Sequence, residues 1–371
     1  MKMFFLIILG AYLGGNIYIY IRLMQTLSGA SSFLRILLSL LFWALALMLL
    51  ASMLMRDVQI PTTIAKTMFN LGSIWMVFTL YMVLALIVFD CAKIFAPTMR
   101  WGFLYALGLT TVLLIYGYYN YRHPRIEQID ITLDKPFSDR EIRIAAISDI
   151  HLGNGTDKAA LKRYVKLINS QNPDLILISG DLIDNSIIPV KQQQMEEELR
   201  ELHAPMGIYM VPGNHEYISR IEQCEAFLQK TPITLLRDSI ATLSCGIQIV
   251  GRDDRHNRRR KSLEELLDRV NSTKPIIVLD HQPYNLAEVD AAGVDIQLSG
   301  HTHRGQVWPL SLLTDYIYEQ SHGYRKWQNT HIYVSTGLSL WGPPFRIGTN
   351  SEMAIITIKP AQNNNFLQKN N

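Results

Sequence analysis

Five short blocks of Asp, His and Asn recur along the last two thirds of the chain, each directly behind an apolar run. Asp149-Ile150-His151 follows the run at 142–148. Gly180-Asp181-Leu182-Ile183-Asp184 follows 175–179, and Gly213-Asn214-His215-Glu216 follows 208–211. Asp280-His281-Gln282-Pro283 follows 276–279, and Gly300-His301-Thr302-His303 follows 294–298. Carboxylate, imidazole and amide oxygen together suit borderline divalent ions such as Mn, Fe, Co or Zn. A hydrolase that uses two such ions needs a carboxylate able to reach both. The ions would stand about 3.5–4 Å apart, clamp the attacking and leaving oxygens, and acidify a water between them to make the nucleophile. Taken singly the blocks are weak: Asp149 with His151, or Gly180-Asp181, also reads as a turn, and His281 as a core histidine. Their order is the stronger signal, because five of the chain's ten histidines fall inside it.

The elements that must position these blocks alternate. Runs at 142–148, 175–179, 208–211, 247–250, 276–279, 294–298, 332–335 and 353–358 read as strands. Segments 158–169, 192–202 and 218–228 have helical spacing. Such alternation predicts a layered α/β domain over 142–360, with two sheets packed face to face and helices outside. In open α/β sheets, ligands gather at the carboxyl ends of strands, so the five blocks are expected on one rim. Glycines before Asp181, Asn214 and His301 allow sharp turns there. Residues 122–141 read as a linker with a first edge strand near 126–133, and 361–371 as a polar tail.

Residues 1–121 are of another kind. Apolar stretches run over 3–23, 33–55, 68–89 and 103–119, the last extending to 101–121 with its aromatic ends. About 20 apolar residues cross a hydrocarbon core, so a bundle of about four transmembrane helices is expected. Tyr18, Tyr20, Trp101, Tyr118, Tyr119 and Tyr121 stand near the stretch ends, where amphipathic rings favour the interface. A lone cleaved signal peptide is excluded by the three further stretches. The first 120 residues carry +5 of a chain total of +3, leaving −2 for the remainder. The basic balance therefore belongs to the membrane third, and no nucleic-acid partner is expected. Lys2, Arg56, Lys66, Arg122 and Arg125 share the soluble domain's side, against Arg22, Arg35, Lys93 and Arg100. Five against four points to a cytoplasmic domain. Cys91, Cys224 and Cys245 show no paired spacing, so no disulfide framework or zinc ribbon is implied.

The ordered blocks Asp-x-His, Gly-Asp-x-x-Asp, Gly-Asn-His-Glu, a single His and Gly-His-x-His resemble the calcineurin-like metallophosphoesterase superfamily, over roughly 142–358. Gly305-Gln306 and Ser335-Thr336-Gly337 are similar to its membrane-associated phosphodiesterase branch. The resemblance implies a four-layer double β-sandwich and two divalent metal ions, with Mn, Fe or Zn expected. It implies Asp149, His151, Asp181 and His303 on the first metal. Asp181, Asn214, His281 and His301 would hold the second, with Asp181 bridging. It implies His215 as general acid rather than ligand, and Glu216 or Asp184 as residues that orient these groups. Arg304 stands where the branch commonly has Gly. Two readings stand side by side: a bidentate hold on a substrate phosphate, or a side chain in solvent. The basic segment 252–261 reads either as a solvated turn or as a contact for anionic headgroups. The apolar segment 341–346 reads as a cap on the sandwich or as a loop dipping toward the membrane.

The function expected is that of a membrane-anchored two-metal phosphoesterase acting on a phosphodiester or pyrophosphate bond, with a lipid-linked substrate favoured by the tether. A nuclease of the same fold and a non-catalytic membrane scaffold are the alternatives. The charge of −2 weighs against the first, and the complete ligand set against the second.

Overall fold

The computed structural model describes residues 2–55, 58, 60–96 and 101–361; Arg56, Asp57 and Arg100 of the charge count, and 362–371 of the polar tail, lie outside the described residues. The chain divides into two compact units.

The first holds four helices: α1 (Lys2–Thr26), α2 (Ser32–Leu54), α3 (Thr62–Phe95) and α4 (Gly102–Arg122). All four are long and apolar enough to cross a membrane. Their composition is inverted relative to a soluble bundle. Leu40, Leu47, Ile87 and Val112 are exposed, whereas Asn16, Ser73, Thr79 and Thr110 are buried. Asn16, Thr79 and Thr110 find partners, as a low-dielectric interior favours: Trp75 Nε1 donates to Asn16 Oδ1 at 2.8 Å, the Thr79 hydroxyl donates to the Trp75 carbonyl, and the Thr110 hydroxyl meets the Met82 sulfur. Asp90 is met by the Tyr18 hydroxyl and the Arg22 guanidinium. Gly72 lets α2 and α3 approach closely, since a Cβ there would stand 2.4 Å from the Leu49 backbone nitrogen. Gly342–Ile347 belongs to this unit. The Arg346 N–H donates to the Gly117 carbonyl at 2.9 Å. Of the segment read as a sandwich cap, only Trp341 stays with the second unit.

The second unit contains β1 (Arg125–Leu133), β2 (Ile142–Ile147), β3 (Leu175–Ser179), β4 (Ile208–Val211), β5 (Ile233–Leu235), β6 (Ser239–Thr242), β7 (Gln248–Gly251), β8 (Ile276–Leu279), β9 (Ile296–Ser299), β10 (Gly323–Lys326), β11 (His331–Val334) and β12 (Glu352–Pro360). They form two six-stranded sheets, ordered β1-β12-β2-β3-β4-β5 and β10-β11-β9-β8-β7-β6. The middle strands β2 to β5, and β7, β8, β9 and β11, run parallel. Every residue of β3 and β8 is buried, as expected for parallel strands covered on both faces. Alternation assigns the faces. Ile144, Leu177 and Val211 meet Ile249, Ile277 and Leu298 in a core between the sheets. Ala145, Ile147, Ile176 and Ile178 turn the other way, against α5 (Lys158–Asn169), α6 (Ile188–Gln192), α7 (Glu196–Leu199) and α9 (Ile221–Leu228), with α8 (Asn214–Ile218) beside them in the chain. Val250, Ile276 and Val278 pack under α10 (Leu263–Leu267) and α11 (Leu286–Ala291). The four-layer double sandwich is therefore present.

The expected helix 192–202 is interrupted, and the expected helix 218–228 starts later, as α9. Gln194, at φ 51°, separates α6 from α7, and Arg220, at φ 71°, separates α8 from α9. A residue in the left-handed region cannot continue a right-handed helix.

Candidate metal centre

The five blocks occupy the carboxyl ends of β2, β3, β4, β8 and β9, drawing on both sheets. The loops are laced together through their backbones. Asp149 N–H donates to the Gly180 carbonyl at 3.1 Å, and His151 N–H to the Asp181 carbonyl at 3.0 Å. Across the two sheets, His301 N–H donates to Asp149 Oδ2 at 3.1 Å. Asp149, His151, Asp181, His301 and His303 all have positive φ, between 46° and 72°. Such strain in non-glycine residues persists where surrounding structure over-determines it, and it clusters at functional sites. Two glycines are required by space. A Cβ on Gly213 would sit 2.1 Å from Asp181 Oδ1, and one on Gly300 2.3 Å from Asp149 Oδ2.

The side chains converge in two overlapping groups. Asp149, His151 and His303 bring their donor atoms within 4.8 Å of one another, as do Asp181, His281 and His301. His151 Nε2 lies 3.0 Å from His303 Nε2, and Asp149 Oδ1 lies 3.7 Å and 3.4 Å from these two nitrogens. In the second group His281 Nε2 is 3.1 Å from Asp181 Oδ2 and 3.2 Å from Asn214 Oδ1. Asp181 Oδ2 is also 3.8 Å from His151 Nε2, so this one oxygen faces both groups. His281 Nδ1 donates to the Ser179 carbonyl at 2.7 Å, which leaves the Nε2 lone pair aimed at the centre.

His215 stands beside the rings. Its ring meets His151 edge-on, with centroids 4.6 Å apart. His215 also forms a third compact group with His151 and Asp181, their donor atoms lying within 4.8 Å of one another. Its Nδ1 is instead 3.1 Å from Asp184 Oδ1. A histidine held by a carboxylate on one nitrogen presents only the other to a reacting group. Glu216 is anchored deeper. Its carboxylate accepts from the backbone N–H of Gly213 at 2.7 Å, Ile183 at 2.9 Å and Asp181 at 3.0 Å. It therefore ties the second and third blocks together. Burial first, then the Asp181 charge, pushes Glu216 up to about 7.

The electrostatics test whether these residues fit cations. Burial alone would raise the Asp181 carboxyl, yet His281 and His215 hold it well below the usual range. Asp149 is likewise held low against burial, chiefly by His303 and His151. Burial disfavours charge on His151, but Asp149 and Asp184 push it up to about 10. His301 goes the other way, down to about 4, through burial and the neighbouring His281. Buried carboxylates that stay ionised, with imidazole lone pairs aimed among them, form a cavity that demands positive charge. The oxygen and nitrogen donors match what borderline divalent ions take.

Other residues have resolved positions. Arg304 has φ 47° and is half-buried. Its Nε is enclosed without a hydrogen-bond partner among the described residues, so the chain does not simply lie in solvent. The segment 252–261 is partly internal. Arg252 Nη1 pairs with Asp280 at 3.0 Å and Arg260 Nη1 with the same carboxylate at 3.3 Å, while Arg255, Arg258 and Arg259 remain exposed. Two rings at the rim carried no chemical signal in the sequence. Tyr318 lies 6.2 Å from the His301 ring, and Trp341 6.3 Å from the His215 ring.

A double sandwich whose strand ends gather buried aspartates, histidines and an asparagine defines a metal-dependent hydrolase. Residues 142–305 match the calcineurin-like phosphoesterase family. A metallophosphoesterase of Helicobacter pylori is 36% identical over 264 residues, covering 68% of this chain and 70% of its own. A zebrafish (Danio rerio) transmembrane protein with a metallophosphoesterase domain is 32% identical over 274 residues, covering 69% of this chain and 62% of that protein. The Bacillus subtilis metallophosphoesterase YkuE is 30% identical over 270 residues, which is 68% of this chain and 93% of its own. The chain belongs to the calcineurin-like metallophosphoesterases, which are metal-dependent phosphoester hydrolases, and it adds to that domain four membrane-length helices.

Proposed function

We propose that the protein is a membrane-anchored phosphoesterase that hydrolyses a phosphodiester or pyrophosphate bond of a lipid-linked substrate. The observation that carries this reading is the convergence of two donor groups on Asp181, with His215 beside them and paired with Asp184. Asp149, His151, Asp181 and His303 would hold one divalent ion. Asp181, Asn214, His281 and His301 would hold the other, and Mn, Fe or Zn suits both sites. When bound, such a pair supplies charge neutralisation at the phosphoryl oxygens and lowers the pKa of water.

The chain's own residues do the rest. The Ser179 carbonyl fixes the tautomer of His281. Glu216 locks the turns that carry Asp181 and Asn214. Asp184 orients His215 through Nδ1, and Nε2 is the atom that would deliver a proton to the leaving oxygen. Arg304, half-buried next to His303, would pair with a substrate phosphate.

The lipid-linked substrate rests on economy of encounter. α4 ends at Arg122 and β1 begins at Arg125, so the catalytic unit stays near a bilayer and meets substrates there. The five-to-four charge count favours the cytoplasmic side for that unit, and the −2 charge of residues 121–371 disfavours a nucleic-acid partner. Lipid mass spectrometry of cells lacking the protein tests the substrate: a phosphorylated or nucleotide-linked lipid should accumulate. An unchanged lipid profile alongside a changed pool of soluble phosphoesters would overturn the lipid reading.

A further inference from the structure

One helix of the catalytic unit is inside out. Helix α12 (Leu310–Ile317) has Ser311 as its buried residue. Leu312, Leu313, Tyr316 and Ile317 are exposed, Tyr316 to 88%. At 3.6 residues per turn, these four positions and Leu310 share one arc of the helix, with Ser311, Thr314 and Asp315 on the opposite side. The helix is amphipathic, and its apolar face looks outward. Trp308 precedes it and is exposed as well.

This face is unlike the rest of the unit. Among the described residues of 123–341 and 348–361, the other large apolar side chains that are exposed are Ile218, Tyr324 and Trp341. Contiguous apolar patches on a soluble surface mark a place where something apolar docks. The patch is also joined to the metal centre. The His303–Gly305 turn packs against the start of α12 so tightly that a Cβ on Gly305 would stand 2.4 Å from the Leu310 carbonyl carbon. Trp341 reaches the His215 ring from the other flank.

We propose that α12, with Trp308 and Trp341, is a membrane-docking face that seats the catalytic unit on the lipid bilayer. Three features select a bilayer as the occupant. The chain itself carries four membrane-length helices. Two residues separate the last of them from β1, a span of about 10 Å at most with its end bonds, so a bilayer is always within reach. The exposed set also pairs aliphatic side chains with Trp and Tyr, the composition that settles at the boundary of headgroups and acyl chains. Docked this way, the face sets the mouth of the metal centre at headgroup level. A lipid phosphoester would then enter sideways from the leaflet. The inference deepens the lipid-linked reading, but docking itself does not require hydrolysis.

The test uses the full-length chain reconstituted in vesicles of phosphatidylethanolamine and phosphatidylglycerol. Cys91→Ser and Cys245→Ser clear the background, and a bimane label is placed by Leu312→Cys, Tyr316→Cys or, as an exposed control on α5, Lys162→Cys. A nitroxide on the lipid acyl chain should quench the labels at 312 and 316 several-fold more than the label at 162, and aqueous iodide should quench them less. Equal behaviour at all three positions would overturn the proposal. So would shielding of 312 and 316 from both quenchers together with cross-linking between copies, which would identify a second chain as the occupant. The readout does not depend on turnover, so an inactive enzyme that docks refutes hydrolysis alone.

Discussion

Asp184 Oδ1 stands 3.1 Å from Nδ1 of His215 and is buried with it beneath the rim of the metal centre. The carboxylate is held ionised below its ordinary range, because His151 and His215 outweigh the burial that would raise it. An ionised partner orients the ring. His215→Ala should therefore lower kcat by about 10²- to 10⁴-fold, the usual weight of a general acid. Asp184→Asn should cost about 10- to 100-fold, as for a group that orients another. Metal content measured by mass spectrometry should stay at the parent level in His215→Ala. Loss of metal there would return His215 to the ligands.

Gly213 and Gly300 are read as spacers for carboxylates rather than as turn formers. An added methyl would press on Asp181 in one case and Asp149 in the other. Gly213→Ala and Gly300→Ala should weaken metal retention by about 10-fold or more, measured by competition with a chelator. Overpacking of this kind costs about 1–3 kcal/mol. Retention equal to the parent would mean that the two carboxylates tolerate displacement.

Glu216 accepts three backbone N–H groups in a site without solvent. Glu216→Ala leaves all three without their acceptor, at about 1–3 kcal/mol each when such a group is buried unsatisfied. The melting temperature of the chain should drop sharply. Glu216→Gln, which keeps one carbonyl oxygen, should fall between the two. Equal melting of all three proteins would show that water replaces the carboxylate.

Glu352 supplies a pH dependence of stability through a residue outside the five blocks. It accepts from the Tyr333 hydroxyl at 2.8 Å and the Thr336 N–H at 3.2 Å, and burial raises its pKa in spite of both. A carboxyl whose folded pKa is raised contributes stability that is full below its unfolded pKa and is lost as pH climbs through the folded value. Glu352→Gln removes that titration. Its melting temperature relative to the parent should therefore rise as pH increases from the acid range to neutrality. A constant difference across that range would contradict the assignment.

The catalytic half of the fold was legible because its strands are buried on both faces. Runs such as 175–179 and 276–279 are wholly apolar, and polar ligands follow immediately. All eight predicted site residues of the five blocks come to one rim for the same reason. What could not be read was short or set by single residues. Strands β5, β6 and β10 have three or four residues and no apolar run. The breaks at Gln194 and Arg220 depend on left-handed conformations that neither residue type announces. Helix α12 has only eight residues, barely two turns, too short for its apolar spacing to stand apart in the sequence. The roles of Tyr318 and Trp341 beside the site depend on packing between distant segments.

Metal content and turnover measured on one sample test the central claim most directly. The full-length protein, purified in detergent, stripped and reloaded with Mn, is assayed on bis-p-nitrophenyl phosphate, with ion content read from the same preparation. The account predicts two ions per chain, turnover abolished by a chelator and restored by Mn, and loss of both ions and activity in Asp181→Asn, because that carboxylate faces both donor groups. A fully loaded protein without turnover, or an Asp181→Asn variant that keeps two ions and full activity, would contradict it.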